Sequence, residues 1–263
     1  MEDAWSDTDH INLESTKQMM DTRTRLIGYG HFMFRWRSYT PLALLPLAFV
    51  MGDATPLPTE PPELTWAYKG LCLAIAILGA VVRMLTVGTT PPGTSGRNTK
   101  AQVASALNTG GIYSVVRNPL YLGNGLIFLG LTLWVQNWLL IVFYLMAFAM
   151  AYTLIILAEE EFLREKHGQP FEEFVTRVPA FFPRLSLWQR GDRRLSLRRV
   201  LRREHDTWLS MLLYLAFMDY ALNVHLLPSG QSFDERWWWA IGGLAAVNLV
   251  LKIIARTTPL LKV

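Results

Sequence analysis

The chain of 263 residues has few charges and almost no cysteine. Its one cysteine, Cys72, lies inside an apolar stretch, which excludes an intramolecular disulfide and a cysteine-rich metal or redox centre. Charged residues make up 17% of the chain and hydrophobic residues 51%, in long blocks rather than in alternation. This composition excludes an ordinary soluble domain. It predicts an all-α, polytopic membrane protein, since helices satisfy their own backbone hydrogen bonds in lipid.

Six apolar segments are long enough to be considered as transmembrane helices. They cover residues 39–51, 64–85, 120–134, 138–158, 208–227 and 237–254. The first and third are short for a bilayer that takes about 20 helical residues to cross. No cleavable signal sequence is evident, because residues 1–38 are polar and charged before the first apolar run.

Basic residues predict the orientation, because lysine and arginine remain on the cytoplasmic side. The loops 53–63 and 135–137 have no basic residue, whereas the N-terminal arm, the segments 89–118 and 159–205, and the C-terminus do. We therefore expect six crossings with both termini in the cytoplasm. The expected regions are a cytoplasmic arm (1–38), two spans (39–107), a core (108–185), a basic interfacial segment (186–205) and two further spans (206–263).

The basic segment 186–205 contains seven arginines, with leucine or valine between several of them. This pattern is typical of a helix that lies on an anionic membrane surface. The arginines either only set the topology or also attract an anionic lipid head group.

The third and fourth spans are joined by a few residues, so they must be antiparallel. The start of the third, near Asn118, and the end of the fourth, near Glu159, then lie on the same side of the membrane. Asn118 is suited to cap the helix and Pro119 to occupy its first position. Arg117 adds a positive charge there, which either extends to the interface or binds a carboxylate or phosphate.

Three adjacent glutamates at the end of the fourth span point in different directions on a helix. Glu160 is expected to pair with Arg164, and Glu161 to face water. Glu159 lies on an apolar stripe, where a carboxylate needs a cationic partner or a ligand. We therefore predict either a functional role for Glu159 or a structural tie to Arg117.

Three motifs occur in order over residues 108–184: GIYSVVRNPLYLG, EEEFLREKHG and VPAFFPR. Together they closely resemble the superfamily of isoprenylcysteine carboxyl methyltransferases and phospholipid methyltransferases. The resemblance implies a helical enzyme that binds S-adenosylmethionine at the cytoplasmic helix ends, while a lipid acceptor arrives from the bilayer. The segment VPAFFPR is expected to fold back over the helix ends as a lid.

The resemblance also implies roles for individual residues. Arg117 and Glu159 are the expected catalytic residues. The expected cofactor contacts are Tyr113, Asn118, Pro119, Leu120, Tyr121, Gly123, Gly125, Glu159 and Glu160. For the two glycines, close helix packing is the alternative to a place in the cofactor site.

The acceptor is less well defined than the cofactor. Members of the prenylcysteine branch have an arginine where this chain has Ile155, and the family often has histidine where Asn118 stands. The chain is more similar to bacterial members that modify envelope lipids, including lipid A phosphate methyltransferases. This resemblance implies a place in the bacterial inner membrane. Arg97, Lys100 and Arg184 are then the expected substrate-binding residues, although for Arg97 and Lys100 a polar cytoplasmic loop is the alternative.

Two other functions remain open at this point. Sterol reductases share a similar architecture and would use NADPH. A transporter or scaffold would use Arg117 and Glu159 only to lock helices together, although the repeated halves common in transporters are not seen. A membrane lipid is the expected partner, and neither a nucleic acid nor a metal is expected.

Overall fold

The computed structural model describes residues 3–37, 46–47, 62–91, 106–220 and 234–258. For residues 3–16 and 62–65 it describes the backbone alone. The regular structure of these residues is helical, which confirms the all-α prediction. The helices are α1 (Asp3–Trp36), α2 (Pro62–Thr89), α3 (Pro119–Leu133), α4 (Trp138–His167), α5 (Gln169–Arg177), α6 (Leu197–Tyr220) and α7 (Glu235–Thr257). Short 3₁₀ turns cover Ile112–Ser114 and Leu185–Leu187.

Three of these helices are long and apolar enough to cross a membrane: Trp66–Thr89 of α2, α4 and α7. Helix α3 is apolar but has only 15 residues, in agreement with the short third segment of the sequence. The first predicted span, 39–51, lies outside the described residues except for 46–47. The predicted fifth span, 208–227, begins within α6, and its residues 221–227 lie outside the described residues. The count of six crossings therefore stays a prediction.

The hairpin of α3 and α4 has the predicted antiparallel arrangement. Its turn is stabilised by Asn137, whose side-chain oxygen accepts a hydrogen bond from the backbone N–H of Leu140 at 3.0 Å. This bond satisfies one of the free amides at the start of α4. The short turn returns the end of α4 to the level at which α3 begins, where the candidate site lies.

Helix α2 runs along α3 at very short distance, because glycines let the two backbones approach. A Cβ atom on Gly79 would lie 2.5 Å from the carbonyl oxygen of Gly123. A Cβ atom on Gly130 would clash with the backbone at Cys72 and Ala76. Small residues at such positions are typical of helices that associate in membranes.

Helix α1 occupies most of the region expected to be a separate cytoplasmic arm. It packs against α4 in the antiparallel sense: Gly30 has no room for a side chain beside Leu154 and Ala158, and Arg23 reaches Glu161. Phe34 is buried in the cluster that holds Ile155. The contribution of α1 to the core was not predicted from the sequence. The first half of α1 is polar, and this indicated a solvent-exposed segment.

The basic segment 186–205 does not form one surface helix. It begins with a 3₁₀ turn and an irregular stretch, and its second half is the first part of α6. The backbone N–H of Ser196 donates to the carbonyl of Gly88 at 2.9 Å, so this stretch is fixed to the end of α2. Gln189 forms an isolated β-bridge with Gly111.

Candidate functional site

The start of α3 and the end of α4 meet through Arg117 and Glu160. Nη2 of Arg117 lies 3.0 Å from Oε1 of Glu160, and their side chains are only 12% and 17% exposed. Nη1 of Arg117 donates to the backbone carbonyl of Val175 at 2.9 Å. The predicted meeting of the two helix ends is thus observed, but Arg117 forms its ion pair with Glu160 and not with Glu159.

The prediction that Glu160 forms an ion pair with Arg164 is wrong. Arg164 instead pairs with Glu161 at 2.8 Å and with Glu172 of α5 at 2.5 Å. Glu161 also pairs with Arg23 of α1 at 2.6 Å. Glu161 therefore has cationic partners rather than water alone, because α1 and α5 lie against this part of α4.

Glu159 is half-buried beside two tyrosines and an arginine that follows α1. Tyr121 and Arg37 both interact electrostatically with its carboxylate. Tyr113 lies in the 3₁₀ turn that precedes α3, where burial and the nearby Glu159 carboxylate raise the pKa of its phenol above the ordinary value. Glu159 thus has the cationic neighbour that a buried carboxylate requires, but Arg37 provides it.

Aromatic rings form one wall of this region. The rings of Tyr121 and Tyr152 meet edge to face, with centroids 4.9 Å apart. Phe148 stacks on Tyr152 at 4.2 Å, and Phe181 contacts Phe148 at 5.7 Å. Phe181 lies beyond α5, so residues distant in sequence build this wall together.

The segment 178–184, here called the covering segment, folds back over the start of α3. The backbone N–H of Arg117 donates to the carbonyl of Pro179 at 2.9 Å, and that of Arg184 donates to the carbonyl of Val115 at 2.9 Å. The side-chain amide of Asn118 donates to the carbonyl of Ala180 at 3.1 Å. The segment predicted to act as a lid therefore lies where the lid was expected.

The first residues of α3 agree only partly with the sequence analysis. Pro119 occupies the first turn of the helix, as predicted. Asn118 stands at the N-cap position, but its side chain makes no capping bond, because it holds the covering segment instead. Leu120 is half-buried in the same turn.

Gly123 and Gly125 contact neighbouring helices. A Cβ atom on Gly123 would lie 2.5 Å from Cγ of Arg83, and one on Gly125 would lie 2.7 Å from the ring of Phe148. Helix packing therefore accounts for both glycines, which face α2 and α4. Their expected part in cofactor binding stays a prediction.

The expected substrate-binding residues are only partly described. Arg184 is exposed at the end of the covering segment. Arg97 and Lys100 lie outside the described residues, so their role stays a prediction.

Sequence reasoning missed several polar residues near the site. Arg37 falls in the expected arm, and Glu204 in the arginine-rich segment. Arg83, Asn124 and Tyr152 form a buried polar network with Glu204. A signal existed only for Arg83, a charge within a predicted membrane span, which is a functional candidate by default.

Two polar atoms at the ion pair lack hydrogen-bond partners among the described residues. Nε of Arg117 has none, and Oε1 of Glu160 meets Nη2 as an ion pair without hydrogen-bond geometry. Buried polar atoms of this kind are uncommon, and one explanation is a bound group that completes the site. The ion pair therefore has capacity for a further polar ligand.

Comparisons with known proteins agree with the resemblance found in the sequence. Residues 70–170 match the phospholipid methyltransferase family. The cobalt-zinc-cadmium resistance protein CzcN of Cupriavidus metallidurans is 40% identical over 85 residues, which are 32% of this chain and 39% of that protein. The nickel-cobalt-cadmium resistance protein NccN of Alcaligenes xylosoxydans xylosoxydans is 35% identical over 127 residues, 48% of this chain and 55% of that protein.

The chain thus spans about half or less of the length of these curated relatives. No solved structure matches the chain.

Proposed function

We propose, from the premise that residues 70–170 match the phospholipid methyltransferase family, that the chain transfers the methyl group of S-adenosylmethionine to the polar head of a membrane lipid. One observation carries this proposal. The half-buried carboxylate of Glu159 interacts electrostatically with both Tyr113 and Tyr121, where the start of α3 meets the end of α4. This is the polar end of an apolar helical hairpin, where a charged donor from water and a lipid head group can meet.

The residues at this position fit S-adenosylmethionine. S-adenosylmethionine supplies a methyl group attached to a positively charged sulfonium. The molecule also has an amino group, a carboxylate and an adenine ring. The Glu159 carboxylate can balance the positive charge. Nε of Arg117, which has no hydrogen-bond partner within the described part of the chain, can donate to a carboxylate. Tyr113 and Tyr121 offer aromatic surface to the adenine or to the cation.

The protein mainly aligns the two reactants and excludes water, because methyl transfer is an in-line displacement. The covering segment, fixed by Asn118 and Arg117, separates the start of α3 from the solvent. A phosphate or carboxylate acceptor is already nucleophilic and needs no base. An amine acceptor would first have to lose a proton to a carboxylate.

The lipid enters from the bilayer side, since α2 and α4 each contain an apolar stretch long enough to cross the membrane. Exposed Arg184 is suited to bind an anionic head group at the end of the covering segment. Arg97 and Lys100, on the predicted cytoplasmic loop after α2, would add positive charge for a phosphate.

The names of both relatives refer to metal resistance, and we extend the proposal to that setting. Methylation of a lipid phosphate replaces an ionisable oxygen with an ester. It thereby removes negative charge that attracts divalent cations to the membrane surface. Within the described ranges, no group of three or more His, Cys, Asp or Glu side chains could hold a metal ion.

The direct test uses purified full-length protein in nanodiscs with methyl-labelled S-adenosylmethionine and a total bacterial lipid extract. We expect label in one lipid class, which mass spectrometry then identifies. A reductase would instead bind NADPH, and a transporter or scaffold would bind neither cofactor. Absence of both labelled lipid and S-adenosylmethionine binding would contradict the proposal.

A further inference from the structure

A chain of polar contacts connects α6 to the aromatic wall of the site through four helices. Nε and Nη2 of Arg83 in α2 donate to the two carboxylate oxygens of Glu204 in α6, each at 2.9 Å. Nη1 of Arg83 donates to Oδ1 of Asn124 in α3 at 2.5 Å. Nδ2 of Asn124 then donates to the hydroxyl of Tyr152 in α4 at 3.0 Å. We call Glu204, Arg83, Asn124 and Tyr152 the relay.

The relay begins with a charge pair that is almost completely buried. The side chain of Arg83 is 14% exposed and that of Glu204 is 2% exposed. Removing two charges from water is costly, and two parallel hydrogen bonds offset this cost only when the geometry is fixed. Thr207 adds a longer contact to Nη2 at 3.4 Å. Arg83 therefore occupies one defined position between the helices.

The position of Arg83 determines which group donates and which accepts in the next two hydrogen bonds of the relay. An arginine side chain only donates hydrogen bonds, so the oxygen of the Asn124 amide must face Arg83. The NH₂ of Asn124 must then face Tyr152, whose hydroxyl oxygen accepts its bond. The hydroxyl proton of Tyr152 consequently remains available for an acceptor other than Asn124. Tyr152 also interacts electrostatically with Glu159.

The ring of Tyr152 connects the relay to the site by packing against two other aromatic rings. It lies between Phe148, which stacks on it at 4.2 Å, and Tyr121, whose ring meets it edge to face at 4.9 Å. Tyr121 in turn interacts electrostatically with Glu159. A rotation of Tyr152 would therefore displace Tyr121 and alter the surroundings of the Glu159 carboxylate.

We propose that Arg83, Asn124 and Tyr152, anchored by Glu204, are positioning residues that hold Tyr121 against Glu159 for binding of the methyl donor. This inference rests on the proposed function. It assigns a role to α6, which lies outside the family match at residues 70–170. The site is thus completed by a helix from the C-terminal part of the chain.

The test compares two conservative substitutions on α4 in the full-length protein. Tyr152→Phe removes the hydroxyl and keeps the ring. Tyr144→Phe is the matched control, because the hydroxyl of Tyr144 donates to the carbonyl of Gly125 at 2.7 Å, apart from the relay. We expect Tyr152→Phe to weaken equilibrium binding of S-adenosylmethionine about three- to tenfold, the range of one lost hydrogen bond, and Tyr144→Phe to change it by less than about twofold.

A second substitution tests the middle residue of the relay. In Asn124→Leu, the side chain can neither accept from Arg83 nor donate to Tyr152, so both bonds of the middle residue are lost. We expect the same loss of affinity as in Tyr152→Phe and no additional loss in the double variant. Affinities equal to wild type in both single variants would overturn the positioning role.

Stability provides a readout that does not depend on the donor. The thermal destabilisation of Asn124→Leu combined with Tyr152→Phe should be smaller than the sum of the two single effects, because both remove the same bond. Additive effects would overturn the relay whether or not the donor binds. Failure of the proposed function would appear separately, as no donor binding by the wild type. If the two destabilising effects are not additive but the wild type binds no donor, the relay is only a structural network. Its positioning role is then overturned.

Discussion

Arg117 at the start of α3 and Glu160 near the end of α4 form an ion pair across the helical hairpin, with Nη2 and Oε1 3.0 Å apart. Both side chains are largely shielded from solvent, and Arg117 also holds the end of α5 through the carbonyl of Val175. This pair fixes the base of the candidate site, because it joins the two helix ends from which Tyr121 and Glu159 extend.

Glu160→Gln should lower the free energy of unfolding by about 1–3 kcal/mol. The substitution leaves the Arg117 guanidinium with the Val175 carbonyl but without a countercharge. Glu165→Gln, at an exposed position further along α4, is the control and should have little effect. Unfolding in mixed micelles measures both, and equal stability of the two variants would show that the pair contributes nothing.

The contact between α2 and α3 predicts opposite results for two glycines of one helix. Gly79→Ala places a Cβ atom against the Gly123 carbonyl and should destabilise the protein by about 1–3 kcal/mol. Gly70→Ala meets no atom of the described residues within 4 Å. It should be neutral or stabilising by up to about 1 kcal/mol, since alanine favours a helix. Thermal unfolding in detergent checks both variants, and a neutral Gly79→Ala would exclude the close approach.

Asn118 should tolerate histidine but not aspartate. The covering segment needs a donor to the Ala180 carbonyl, which an imidazole N–H can replace and a carboxylate cannot. We expect Asn118→Asp to weaken donor binding about tenfold, equivalent to about 1.4 kcal/mol, and to expose residues 178–184 to proteases. Protection of this segment in Asn118→Asp equal to that in Asn118→His would contradict the role of this bond.

The start of the site was predictable from sequence because its signals are local. The short turn after α3 forces the helix ends together, and Pro119 marks the first turn of α3. The partners of the glutamates were not predictable in the same way. Helical phasing separates Glu159, Glu160 and Glu161, but it gives no information on the N-terminal segment, which brings Arg23 and Arg37 to α4.

Buried charge was the other limit of the sequence analysis. Glu204 follows several arginines, a context that indicates a solvated basic helix. Only the folded chain shows that it turns inward to Arg83. The apolar glycine motif was ambiguous for a related reason, because only the folded chain shows that Gly123 lies against α2.

The role of Glu159 is tested most directly by equilibrium binding of S-adenosylmethionine to wild type, Glu159→Gln and Glu161→Gln, with thermal unfolding to verify that each variant is folded. In Glu159→Gln, the new side-chain amide keeps the size of the carboxylate but has no charge to balance the donor. We predict that Glu159→Gln weakens binding about 10- to 100-fold, the range of a charged interaction, while Glu161→Gln stays within about threefold of wild type. Equal affinity of the two folded variants would contradict the assignment of Glu159 to the donor site.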